Sequence, residues 1–254
     1  MPVIKLGHPE PTWFHGLLKY LPPWINDFTL TTVFIVLLLS TLAWLGTRSL
    51  RKRGISRGQA VWELIVQALT DFVCGIMGPE GRKHVPLIGT LFIFILTMNM
   101  FGIIPGFVSP TASLNTTIAM ALFVFVYVQI QGIKAHGIGA YLKHFWGEPL
   151  WLGPLMFPLH MIGELAKPLS LALRLAGNVF AEDSVILIFA FLSPTLFMIL
   201  KSQWAQEIPL FPVQIIILPL MLFFGLIQAL VFSMLSTIYI TLLASSETEG
   251  HSGH

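Results

Sequence analysis

The sequence predicts an all-α polytopic membrane protein, with five membrane-crossing helices and one amphipathic helix lying along the interface. Three observations carry that prediction. Apolar residues make up 55% of the 254, while Asp, Glu, Lys and Arg together make up 10%, against roughly a quarter in an ordinary soluble domain. So few charges do not cover a water-facing surface of this size. Lipid contact accounts for the apolar surplus, 20 Phe and 10 Met among it. The apolar residues also fall in long, nearly charge-free runs of bilayer-crossing length, and the positive charges gather in a few of the connections between those runs.

Other classes are excluded early. A net charge of +2, with no basic patch interleaved by aromatics, argues against a nucleic-acid partner. Cys74 is the single cysteine, so neither an internal disulfide nor a paired-cysteine metal or redox motif is available. The opening MPVIKLGHPEPTWFH has no apolar core followed by a small-residue cleavage site, so the first apolar run is expected to remain in the protein.

Residues 1–254 read as one membrane domain. Residues 1–27, broken by Pro9, Pro11, Pro22 and Pro23, form an irregular extracytoplasmic lead. Phe28 to Gly46 carries no charge, and about 20 helical residues cross a hydrocarbon core near 30 Å, so this is the first span. Arg48, Arg51, Lys52, Arg53 and Arg57 follow it. In residues 59–78, Val61, Leu64, Ile65, Ala68, Leu69, Phe72 and Val73 recur at helical spacing, with Glu63, Gln67, Thr70 and Asp71 toward another side. That pattern predicts the interfacial helix.

After Glu80, Arg82 and Lys83, Pro86 to Ile104 supplies the second span and Leu114 to Ile133 the third. Gly132, Gly137, Gly139 and Pro149 mark the polar connection after it. Trp151 to Leu200 is long and repeatedly interrupted by ionisable or amide groups: His160, Glu164, Lys167, Arg174, Asn178, Glu182 and Asp183. Lys201 to Glu207 reads as a polar turn, and Ile208 to Leu243 as a last hydrophobic stretch longer than one perpendicular crossing. Residues 244–254 read as a disordered cytoplasmic tail. With residues 59–78 on the interface, Arg48 to Arg57, Arg82, Lys83, Lys134 and Lys143 share one side, and only Lys5, Lys19 and Lys201 the other. The positive-inside rule then predicts the N-terminus outside and the C-terminus in the cytoplasm.

Arg174 is the residue that demands a function. An arginine at the centre of a membrane helix costs about 3 kcal/mol or more, and its nearest formal charges in sequence are Lys167 and Glu182. At 100° per residue, Glu164 and Glu182 point the same way. His160, Leu171 and Asn178 fall within about 40° of that direction, and Arg174 about 80° from it and about 40° from Asn178. Glu164 stands about 15 Å along the axis on one side of the guanidinium and Glu182 about 12 Å on the other, while Asp183 lies nearly opposite Arg174. Such a stripe suits an ion route: acids or imidazoles exchange ions on either side, and a permanently charged guanidinium blocks a direct leak between them. Gln228, in the final stretch, is predicted either to hold the guanidinium through its carbonyl or to form an ordinary helix–helix hydrogen bond. No P-loop, GxSxG, HExxH or paired-cysteine motif occurs, so no nucleotide site, cofactor or metal is expected. His160 and Glu164, four apart, are too few to make a metal site.

KPLSLALRLAGNVFAED (residues 167–183), NMFGIIPGF (99–107), SLNTTIAMAL (113–122) and LIQALVFSMLSTIY (226–239) closely resemble the a subunit of the membrane sector of bacterial F-type ATP synthases. The resemblance covers most of the chain from residue 28 onward. It implies a fold in which the last two helices are long, tilted and paired as a hairpin against a ring of c subunits. It further implies b subunits of a peripheral stalk and the rest of the complex as partners, membrane lipid around the chain, and a bacterial inner-membrane location. By resemblance Arg174 is the essential channel arginine, Asn178 the nearby amide and Gln228 the final-helix glutamine. His160 and Glu164 stand where channel-lining acids are frequent, and Asp183, with Glu182 beside it, at a position often occupied by glutamate. Ser113 replaces an aspartate of some members, and Met221 a histidine of others. The implied function is ion translocation, with protons the default ion, through two half-channels that couple flow to ring rotation. Two rivals are a self-contained secondary transporter using Arg174 for an anionic substrate, and a structural scaffold that leaves Arg174 without a task.

Overall fold

The computed structural model describes Pro22 and residues 26–48, 57–104, 107–146, 153–199 and 211–245. The lead before Asn26 (Pro22 apart), the Lys201–Glu207 turn and the tail after Ser245 lie outside the described residues, as do the side chains of Glu182, Asp183 and Gln214. Six α-helices carry the described chain: α1 (Asp27–Arg48), α2 (Arg57–Met77), α3 (Val85–Phe101), α4 (Leu114–Trp146), α5 (Gly153–Ile199) and α6 (Phe211–Ser245). Short 3-10 turns at Pro79–Lys83 and Pro110–Ala112 lead into α3 and α4. An all-helical chain is what lipid requires, because a helix satisfies its backbone polar groups without water. Hydroxyls obey the same constraint. Thr31, Thr32 and Thr41 of α1, Thr97 of α3, and Ser236 and Thr237 of α6 each donate to the carbonyl one turn earlier.

Among the described residues, Asp27–Arg48, Gly58–Met77, Leu114–Lys134 and Leu218–Leu243 are long and apolar enough to cross a membrane, and Val85–Phe101 is a shorter apolar helix. The chain is therefore a multi-pass membrane protein by length and composition. Gly58–Met77 belongs to that set although its pattern predicts an interfacial position. Its polar residues explain the ambiguity. Gln59, Glu63, Gln67 and Asp71 follow one another at four-residue spacing, with Gln59 bonded to Glu63 at 2.8 Å, so one polar stripe runs down an otherwise apolar helix.

α6 is the centre of the packing: α3, α4, α5 and α2 all lie against it, and α4 and α5 lie against each other. The core is built from Ile95 and Met98 of α3, Val124 of α4, Leu175 of α5, and Phe232 and Ile240 of α6. Buried Ala121, Ala172 and Ala229 let these helices approach closely. In lipid, van der Waals fit of this kind replaces the hydrophobic effect as the source of helix association. α1 is peripheral. It ends with the Arg48 guanidinium 4.9 Å from the centre of the Trp44 ring, an aromatic–cation pair suited to the membrane boundary.

One element runs longer than the sequence indicates. α4 continues beyond the glycine-rich connection to Trp146, broken only at Gly137, where φ is 76° and ψ 158°, a conformation that favours glycine. α5 is 47 residues and α6 is 35 residues long, about 70 and 52 Å at 1.5 Å per residue, well beyond a hydrocarbon core of about 30 Å.

Candidate functional site

Six of the seven predicted site residues lie on α5 and the seventh, Gln228, on α6. α5 buries Leu171, Ala172, Leu175 and Val179 against its neighbours and leaves Leu169, Leu173, Gly177 and Phe180 exposed. This division follows from helical geometry, since the buried residues are three and four apart and form one face. Arg174 is on the exposed side and makes no hydrogen bond or ion pair with any described residue. Gly163, Ser170, Gly177 and Ala181 are exposed within about 60° of it, and a methyl group added at Gly163 or Gly177 would meet nothing within 4 Å. The guanidinium therefore stands on an open strip of small residues.

Of the two contacts predicted for Gln228, the one with Arg174 is not formed. Gln228 is 2% exposed, turned into the α5–α6 seam, and its Oε1 accepts a hydrogen bond from Asn178 Nδ2 at 2.5 Å. The helix–helix alternative is the one the fold adopts. Asn178 lies one turn beyond Arg174 and rotated toward the seam, so it reaches α6 while the arginine does not. Gln228 Nε2 is buried without a partner among the described residues.

Glu164 lies in a different environment. Its Oε1 is bonded by the Lys167 ammonium, its Oε2 accepts from Gln129 Nε2 of α4 at 3.3 Å, and Lys167 Nζ is 5.8 Å from the centre of the Tyr239 ring of α6. Glu164, Lys167 and Tyr239 share a cleft with Val124, Val128 and Leu171. His160, half-buried, is one turn earlier on α5. Glu182 and Asp183 fall on the α5 backbone two turns past Arg174, but their side chains are outside the described ones. The structure thus brings Asn178 to Gln228, and Glu164 to Lys167 and Gln129, while Arg174 remains apart from both groups.

Sequence reasoning missed Gln129 and the clamp that sets α6. Gln129 had a signal, being an amide in the apolar run FVYVQIQGI, where a buried polar group needs a partner on another helix. Asn99, in α3, donates from Nδ2 to the Gly225 carbonyl of α6 at 3.1 Å and accepts from Thr111 Oγ1 at 2.8 Å. A side chain at Gly225 would meet Asn99 Cβ at 3.1 Å, so glycine permits the approach that places Gln228 one turn further on. Outside the spans, His84 is 3% exposed, with Nδ1 2.9 Å from the Tyr127 hydroxyl. Burial above all, then the charge of Lys83, lowers its pKa below the usual imidazole value, with Glu80 opposing.

The family described as ATP synthase A chain matches residues 28–241, from the start of α1 to the last turns of α6. ATP synthase subunit a of Protochlamydia amoebophila is 40% identical over 237 residues, covering 91% of this chain and 84% of that one. ATP synthase subunit a of Trichlorobacter lovleyi is 41% identical over 214 residues, covering 84% of each. That of Oleidesulfovibrio alaskensis is 42% identical over 182 residues, covering 72% of this chain and 71% of its own.

Proposed function

The chain belongs to the family of ATP synthase A chains, and from that premise we propose how its residues do the work. It is the ion-channel subunit of the membrane sector of a rotary ATP synthase, a multi-pass membrane protein that acts within the assembled complex. Arg174 is the residue on which coupling turns. The observation that carries this reading is the outward guanidinium: a permanent cation on a membrane helix, exposed on an open strip and unpartnered among the described residues. Such a charge is too costly to leave facing lipid, and its counter-charge, absent among the described residues, is assigned to a partner chain. A carboxylate on each c subunit of a rotating ring meets the requirement, and the small residues Gly163, Ser170 and Gly177 beside Arg174 leave room for a ring helix to pass.

Two half-channels reach the ring from opposite sides, one on each flank of Arg174. An ion, by default a proton, enters through one and neutralises a ring carboxylate, which then turns through lipid in its uncharged form. On its return the carboxylate meets the field of Arg174, which favours ionisation, and the ion leaves by the other half-channel. His160 stands on one route, with Glu164 beside it, and Glu182 and Asp183 stand on the other. Asn178 and Gln228 fix α5 against α6 beside the arginine. Each unit charge driven through 100 mV supplies about 2.3 kcal/mol, so several ions per turn suffice to drive ATP formation in the soluble sector. α1, α3, α4, α5 and α6 cross the bacterial inner membrane, α2 lies along its cytoplasmic face, and α5 and α6 form the tilted hairpin against the ring. The N-terminus is outside and the C-terminus in the cytoplasm, with the b subunits of the peripheral stalk holding the chain still.

A self-contained transporter using Arg174 for an anionic substrate draws no support, because the guanidinium points away from the bundle rather than into a cavity with converging donors. The test is ATP-driven ion pumping in membrane vesicles that carry the whole enzyme. Arg174→Ala abolishes pumping and ATP synthesis. Arg174→Lys also fails, since a lysine beside a carboxylate can release its proton and lacks the planar fork. Normal pumping by either variant, with the chain present at parental level, would refute the assignment.

A further inference from the structure

α5 holds a second cation, and its surroundings are the reverse of those of Arg174. Lys167 stands two turns before the arginine and about 20° round the helix from it, so the two share a face. Arg174 has no partner among the described residues, whereas Lys167 is bonded to Glu164 and caps the Tyr239 ring at 5.8 Å. Both oxygens of the Glu164 carboxylate are engaged, one by Lys167 and the other by Gln129. The side chains of Lys167 and Glu164 are 29% and 16% exposed, and three helices contribute to the cluster: Gln129 from α4, the ion pair from α5 and Tyr239 from α6.

Charge placement gives this arrangement a consequence. An unpaired Lys167 about 10 Å along the axis from Arg174 would be a second attractor for a passing carboxylate and would blur the single point at which ionisation is favoured. An unpaired Glu164 would trap ions short of the ring. Together the two charges cancel, and the field along this face of α5 is left to Arg174. We propose, building on the role of Arg174 above, that Glu164 and Lys167 act as a permanently closed charge pair and that Glu164 is a counter-ion rather than an ion carrier. Lys167 is a positioning residue: it keeps the Glu164 carboxylate bound and out of the exchange.

A double-mutant cycle in vesicles with the complete enzyme separates the two roles of Glu164. Pumping is measured per ATP hydrolysed, alongside the amount of chain in the membrane. Removing one member leaves a half-buried charge uncompensated, and removing both does not. Glu164→Gln and Lys167→Met each lower pumping about tenfold or more, the Glu164→Gln/Lys167→Met double variant recovers to within about threefold of the parent, and Lys167→Arg pumps normally. A relay at Glu164 predicts the opposite: a double variant as inactive as Glu164→Gln alone, with Lys167→Met close to the parent. Either of those results overturns the closed pair. If the single variants are lost from the membrane, the double variant and the charge swap Glu164→Lys/Lys167→Glu decide. Recovery of both chain and pumping in either supports the pair, and failure of both to assemble or to pump overturns it. Arg174→Ala in the same membranes keeps the two ideas apart: if it pumps, the function assigned to Arg174 falls, whereas an inactive Arg174→Ala beside an unrescued double variant removes the pair alone.

Discussion

An arginine in hydrocarbon costs about 3 kcal/mol or more, and in the arrangement proposed for α5 no described residue of the chain offsets that cost for Arg174. The neighbouring amides show the contrast between a group that serves the seam and one that serves a partner. Asn178 is only about 40° round the helix from Arg174, yet that rotation turns it to the Gln228 carbonyl at 2.5 Å and leaves the guanidinium outside. The Asn178–Gln228 bond lies in a buried seam where water does not replace a lost partner. Asn178→Leu therefore strands the Gln228 carbonyl and destabilises by about 1–3 kcal/mol, while Asn178→Leu combined with Gln228→Leu removes both polar groups and recovers most of that loss. Thermal unfolding of the detergent-solubilised complex measures this. A double variant no more stable than Asn178→Leu would mean that the amide bond does not hold the seam. Pumping by the double variant then reports whether either amide also acts on the ion, since a purely structural bond predicts that pumping follows stability.

At the scale of elements, the junction between α2 and α3 responds to pH. His84 ends the 3-10 turn at the start of α3 and joins it to Tyr127 of α4. Burial and Lys83 disfavour its imidazolium, with Glu80 pulling the other way, so its folded pKa lies below 6.5. In the window between that folded value and 6.5 the unfolded chain binds the proton more readily. Stability contributed by this junction therefore falls as pH drops through the window, and is unaffected above it. Melting of the purified complex followed from about pH 8 to about pH 5 tests the sign, with His84→Gln as the reference that keeps a polar contact to Tyr127 without titrating. A parent no more acid-sensitive than His84→Gln would remove this role. The junction also marks the limit of what periodicity reveals. α1, α3 and the span part of α4 are legible because lipid demands long uncharged helices, and Arg174 stands out in the sequence because a charge in such a run is so costly. The partners of Gln228, Glu164 and Asn99 are not, because 100° per residue fixes the face of one helix but neither the tilt nor the register of its neighbour. A shift of one turn between α5 and α6 decides whether Gln228 meets Arg174 or Asn178, and α6 is itself held by Asn99 of α3 against Gly225, a contact between residues 126 positions apart.

For the whole molecule, topology hinges on α2. Its length and apolar content qualify it to cross, whereas the stripe from Gln59 to Asp71 suits a helix half in lipid and half in water. The positive charges separate the two arrangements. With α2 on the interface, Arg48 to Arg57, Arg82, Lys83 and Lys134 all face the cytoplasm, and five crossings put the chain ends on opposite sides. With α2 across the bilayer, Arg82 and Lys83 move outside, against the bias that orients membrane chains. Glu80, on the exposed turn Pro79–Lys83, reports the difference directly. In a Cys74→Ser background, Glu80→Cys and Ser252→Cys are expected to react with a membrane-impermeant maleimide in inverted vesicles and to be protected in intact spheroplasts, while Thr12→Cys reacts in spheroplasts. Labelling of Glu80→Cys from the outer face would make α2 a crossing helix. It would also put Lys134, and with it the α4 end of the Glu164 cleft, on the side opposite to that assigned to it, exchanging the directions in which the two flanks of Arg174 open.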